Sequence, residues 1–292
     1  MPGVSWFDGP GPAARLGVLR VLAGAFATIY LAVRLPAFHA LGDAPARDFD
    51  PVGALWWMSS PMPAGSVTAL LVLALAAGVA YTTGTWFRIS GPCFAVALLA
   101  LTTYHSSFGQ LLWFENLVNL HVLIVACSPS ADAVSVDARG RDPVTDRAAY
   151  GWPVRLAALV TVLTYVLAGV AKLRDAGWSW LSGETLGNHI AYSSARLEVL
   201  GANASPVAML LVRHDWLLTP AAVLTIAFEL GAPLALLGGR VRDVWVAGTW
   251  LLHVGIAVTM FVVFPYPLSL IAFAPLFRLE RLLPRRLRPA VA

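Results

Sequence analysis

The chain has 292 residues, 58% of them hydrophobic and only 12% charged, with a net charge of +4 and a mean hydropathy of +0.72. Soluble domains carry about 25% charged residues, so the composition excludes an ordinary soluble globular protein. Much of the positive charge sits in the tail "FRLERLLPRRLRPAVA", where Arg285, Arg286 and Arg288 follow an apolar run; that pattern fits an anchor beside anionic lipid and not a nucleic-acid surface.

In chain order, the opening "MPGVSWFDGPGPAARLG" lacks the basic region, short apolar core and small-residue cleavage site of a signal peptide. The first span is therefore expected to act as its own insertion signal. The apolar segments run over about Leu16–Val33, Ser66–Tyr81, Ile89–Thr103, Leu111–Cys127, Pro153–Ala171, Pro220–Leu237, Val244–Val263 and Pro265–Phe277. These runs are continuous, not alternating, and approach the ~20 residues that cross a bilayer as helix. The expected fold is an all-α integral membrane bundle of about eight transmembrane helices. Residues 1–14 form an N-terminal segment, 15–277 the helical domain and 278–292 a basic tail. "FPYP" at 264–267 splits the last two segments, because each proline removes a backbone donor. Loop 34–65 is long and proline-rich, and Trp56 and Trp57 suit a headgroup interface. Residues 172–219 form the longest connection, expected to hold amphipathic pieces on or in the membrane. Arginine placement favours both termini in the cytoplasm of a multi-pass plasma-membrane protein. Cys93 and Cys127 lie in apolar runs, and no disulfide is expected.

Ionisable residues inside spans are costly and mark function by default. Arg20 and Arg155 lie one turn into their spans and either snorkel to headgroups or pair inside the bundle. Glu115 and Asn119 are four apart and share a helix face, with Asn116 one position away. They suit either interhelical hydrogen bonds or a site. His121 suits a satisfied core position. Glu229 and His253 fall mid-span, where a Glu–His pair would satisfy both and lock two helices or build a site. Lys172, in "YVLAGVAKLRDAGW", is the only lysine among 20 Lys and Arg residues. It is either an interfacial snorkeling residue or a proton acceptor, since a desolvated lysine can shed its proton and an arginine cannot.

The stretches "LGVLRVLAG", "CSPSADAVSVDA", "YVLAGVAKLRDAGW", "FELGAPLALL" and "HVGIAVTMFVVFPYPLSLIAFAPLF", in this order over residues 15–277, resemble the horizontally transferred transmembrane (HTTM) family, which includes the membrane part of vitamin K-dependent γ-glutamyl carboxylases. The resemblance implies a reduced quinone (vitamin K or menaquinone type) as cofactor and no metal. It implies Lys172 as the base that deprotonates it, His253 as a second catalytic residue, and Glu229 as the family's acidic residue. Glu115, Asn116 and Asn119 would help to line the cofactor site. The chain departs from the carboxylases at Ala171, where they carry a second lysine, and at Leu117, where an Asn-His pair is lost. It also ends fifteen residues past Phe277, without their large substrate-gripping domain.

Two function classes follow. One is a carboxylase-like enzyme that takes its lipid quinone from the bilayer. The other is a non-catalytic partner, maturation or immunity factor for a secreted peptide or protein, with Lys172 and the long connection as docking surface. A transporter is less favoured, since no inverted repeat or matched pair of broken helices is evident.

Overall fold

The computed structural model describes residues 6–109, 112–142 and 144–284; Arg285, Arg286 and Arg288 lie outside them. Among the described residues there is no strand, only an isolated bridge between Gly11 and Arg147. The chain divides into two compact units, residues 1–157 with 277–292, and residues 158–276.

The first unit contains α1 (Ala13–Val33), α2 (Leu35–Ala40), α3 (Ala64–Thr83), α4 (Phe87–Ser106), α5 (Trp113–Ala126) and the start of α6 (Ala148–Ala176). Prolines at 12 and 63 precede α1 and α3 and set their entry, because proline suits a helix start and not its interior. Tyr81 is fully buried. Its ring packs on Phe94 and Phe87 at 5.2 and 5.4 Å, and its hydroxyl donates to the Val122 carbonyl at 3.2 Å. A buried phenol thus gains area and a hydrogen bond together. Arg15 forks onto Glu280 through Nε and Nη2, at 2.8 and 2.7 Å. Burial alone would raise the Glu280 carboxyl, but the hydrogen bond and charge of Arg15 outweigh it and hold the group below its usual range.

The second unit contains the rest of α6, then α7 (Trp178–Leu181), α8 (Glu184–Val199), α9 (Pro206–Arg213), α10 (Leu218–Leu230), α11 (Gly239–Met260) and α12 (Pro265–Leu268). The connection 172–219 is thus mostly helical. Trp180, Ala222 and Ile226 form one core cluster, closed by Leu173, Ala176 and Leu186. Ser205 caps α9 by accepting from the Ala208 amide at 3.3 Å and donates to the Val258 carbonyl at 2.5 Å, a short polar residue used at both ends.

Among the described residues, five helices, α1, α3, α4, α6 and α11, are long and apolar enough to cross a membrane, and up to six if α9 and the following Asp215–Leu230 helix, bent by 98°, count as one span. The expected count of about eight is not confirmed. Two of the eight apolar segments do not form a full-length helix. α5 has 14 residues, about 21 Å of helix against a ~30 Å hydrocarbon core. The stretch after Phe264 holds Pro265, Pro267 and Pro275, and folds as α12 and a 3-10 turn over Ile271–Leu276, because the missing donors interrupt a longer helix. Side chains cover its carbonyls instead: Trp250 Nε1 donates to Leu268 at 3.0 Å and Thr161 Oγ1 to Ala272 at 2.9 Å.

Candidate functional site

The second unit brings several ionisable side chains together. Tyr165 and Lys172 lie seven residues apart on α6, so they share a face. Gly169 lies between them, and a Cβ there would stand 3.0 Å from the Glu229 Cβ; the glycine lets α10 approach. Lys172 Nζ reaches Glu229 Oε1 at 2.5 Å. The Glu229 side chain is 7% exposed and that of Lys172 26%. The ammonium also stands 5.3 Å from the centroid of the Trp180 ring, within cation–π range. Next along α6, the Tyr165 hydroxyl pairs with His253 Nε2 at 2.8 Å. Trp245 meets the Tyr165 ring edge-on at 5.3 Å, Phe273 stacks on it at 6.0 Å, and Phe264 packs on His253 at 5.2 Å.

This arrangement corrects one expectation. Glu229 and His253 do not pair: Glu229 takes the lysine and His253 takes the tyrosine. Lys172 has a carboxylate partner. The pairs are incomplete in a patterned way. Glu229 Oε2, His253 Nδ1, Trp180 Nε1 and Thr249 Oγ1 are buried and have no hydrogen-bond partner among the described residues. Thr249 precedes His253 by one turn on α11. Buried polar atoms are normally satisfied, and each exception calls for an explanation. Two of these atoms belong to the paired side chains Glu229 and His253, and Trp180 packs on Lys172.

The first unit holds its own polar network. The Tyr30 hydroxyl donates to Glu115 Oε1, the Arg34 guanidinium lies 5.7 Å from the Tyr30 ring centroid, and Arg34 Nη2 stands 3.3 Å from His105 Nε2. Asn119 Nδ2 donates to Thr102 Oγ1 at 2.8 Å. Glu115 is buried, while Asn116 is exposed. His121 is fully buried, its Nε2 3.1 Å from the Ala157 carbonyl. Of the expected site residues, the second unit therefore brings together Lys172, Glu229 and His253, and the first unit carries Glu115, Asn116 and Asn119.

Arg20 does not snorkel. It is fully buried and donates from Nη1 to the Ser130 carbonyl at 2.6 Å and from Nη2 to the Val134 carbonyl at 2.5 Å. It thereby holds the 128–137 segment. Asp137 at the end of that segment accepts from the Trp86 and Phe87 amides at 3.0 and 2.8 Å and caps α4. Gly84 makes the approach possible: its φ is +67°, and a Cβ would stand 2.5 Å from Ser135 Cβ and 2.9 Å from Arg20 Cζ. Arg155 does not snorkel either. It binds the carbonyls of Phe7, Gly9 and Pro10, tying down the N-terminal segment.

The chain matches the HTTM domain over residues 9–280. It belongs to the HTTM family. No curated protein and no solved structure matches it. With its apolar helices, this HTTM protein is a multi-pass membrane protein. Sequence reasoning on the family stretches singled out Lys172, Glu229 and His253 and did not single out Tyr165, Trp180 and Thr249. The signal for Tyr165 was present, seven residues before Lys172 on one helix face. Trp180 carried no signal in the sequence, because its contact with Lys172 depends on the turn at Gly177, where φ is +54°.

Proposed function

We propose that this HTTM protein is a quinone-linked, carboxylase-like enzyme of the plasma membrane, with both termini in the cytoplasm, and that its acid–base centre is the Lys172–Glu229 pair. The observation that carries this reading is the set of unpartnered buried atoms around that pair. Glu229 Oε2 would hold a ring hydroxyl of a reduced quinone and Trp180 Nε1 would hold a ring oxygen. When bound, such a group supplies an acidic hydroxyl and a reducing electron pair.

The chain's own residues handle the proton. Lys172 Nζ passes a proton across 2.5 Å to Glu229 Oε1 and becomes a neutral amine. With Glu229 holding that proton, the neutral Lys172 amine would be able to act as a base toward an acidic hydroxyl held beside it. The Tyr165 hydroxyl fixes the His253 ring through Nε2. Trp180 keeps the ammonium in place. Arginine at position 172 keeps the charge and the pairing with Glu229 but gives up the proton chemistry.

The test uses purified protein in nanodiscs with a reduced menaquinone-type quinone added. Wild type should retain about one quinone per chain, as two tight partners in one site require, and take up its proton. Lys172→Arg should retain quinone without the proton uptake, and His253→Ala should lose quinone. Retention no greater than in empty nanodiscs would remove the enzymatic reading and leave the peptide-partner role, in which Lys172→Arg is silent.

A further inference from the structure

On the second unit, α10 and the first turns of α11 border an open groove of about 510 Å³, with Leu224, Phe228, Leu234, Val244 and Trp245 among its walls and Arg240 at one end. That volume suits a single bound molecule. Its walls offer almost nothing to a polar ligand. The Trp245 indole N–H is turned away to the Phe228 carbonyl at 2.8 Å, so the wall most able to donate is already engaged. The charge is confined to the Arg240 end. Arg240 is exposed and, among the described residues, makes no ion pair or hydrogen bond. Its neighbour Arg242 differs: it is bound to Asp243 at 2.7 Å and to the Leu276 carbonyl at 3.2 Å.

From this geometry we infer that the groove is a binding site for one anionic phospholipid, with an acyl chain along the apolar walls and the phosphate on Arg240. The site lies on a helix that crosses the bilayer, at its first turn, where headgroups are within reach of a long side chain. An apolar tail needs no hydrogen bond from the walls, and an anionic head matches the single unpaired guanidinium. A basic pocket between transmembrane helices recognises acidic lipid in this way. The site is distinct from the Lys172–Glu229 centre and does not depend on the quinone reading. It touches that centre through Trp245, whose ring borders the groove and meets Tyr165 edge-on.

Native mass spectrometry tests the site on the full chain, purified from micelles holding equal amounts of phosphatidylglycerol and phosphatidylcholine. Wild type should retain phosphatidylglycerol about fivefold over phosphatidylcholine, the factor equivalent to about 1 kcal/mol for one arginine near an anionic surface. Arg240→Gln should bring the two lipids close to equal retention. Val244→Trp, at a position 65% exposed and therefore tolerant of bulk, should fill the groove and remove both lipids. Equal retention by wild type, or a preference that survives Arg240→Gln, would overturn the assignment of the headgroup. Undiminished retention by Val244→Trp would overturn the groove as the tail site.

Discussion

Arg20 and Lys172 are both cations placed inside helical units, and their partners are of opposite kinds. Arg20 donates to two backbone carbonyls, which cannot take up its proton. Lys172 donates to a carboxylate, and its surroundings hold a second pair, tyrosine with histidine. All four groups can exchange protons. The difference teaches how to separate a structural cation from a chemical one in a membrane protein. A permanent charge bound to backbone fixes a loop, whereas a titratable charge bound to a titratable partner can pass a proton on.

Substitutions at the two positions sharpen that contrast. The largest effect is expected at Arg20. Arg20→Ala removes two charge-assisted hydrogen bonds, each worth about 1.5–3 kcal/mol, and frees the segment that caps α4. A loss of about 3–6 kcal/mol on thermal unfolding in detergent should follow, with only partial rescue by lysine, whose compact ammonium lacks the planar fork of a guanidinium. If Arg20→Lys were as stable as wild type, the structural half of the comparison would fail.

Next comes Lys172→Met. It strands a buried carboxyl, which costs about 1–3 kcal/mol. Adding Glu229→Gln should recover part of the loss, and a double-mutant cycle should return a coupling well above that of two distant sites. Additive losses would mean that the pair is not formed.

The smallest effect belongs to Arg15–Glu280, a fork between partly buried side chains worth about 1 kcal/mol or less. The folded-state carboxyl is lowered, so its contribution is complete above the ordinary glutamate value, about 4.3, and fades as pH falls through the lower folded value. Stability of wild type minus Glu280→Gln, measured from pH 7 downward, should stay constant to near that ordinary value and then shrink. A difference that grows with acid would contradict the sign.

The helical membrane class was legible in the sequence, because uninterrupted apolar runs leave the backbone no other way to satisfy its polar groups in lipid. The number of spans was not. Hydropathy reads Pro265–Phe277 as apolar and takes no account of its prolines, and it cannot tell a 14-residue helix from a full span. Lys172, Glu229 and His253 stood out by residue type, yet their pairing did not. Lys172 and Glu229 are 57 positions apart, and only the close approach at Gly169 brings their helices together. For Arg20 the sequence left snorkeling and pairing inside the bundle both open, because its partners sit on a segment more than a hundred residues later, and position along a span says nothing about a loop folding back.

Infrared difference spectroscopy on the purified protein, before and after a reduced quinone is added, tests most directly whether Lys172 and Glu229 exchange a proton. Wild type should gain a protonated-carboxyl band that Glu229→Gln lacks and that Lys172→Arg does not develop. Identical difference spectra for wild type and Glu229→Gln would show that the carboxyl takes no proton, and would contradict the proposed chemistry at this pair.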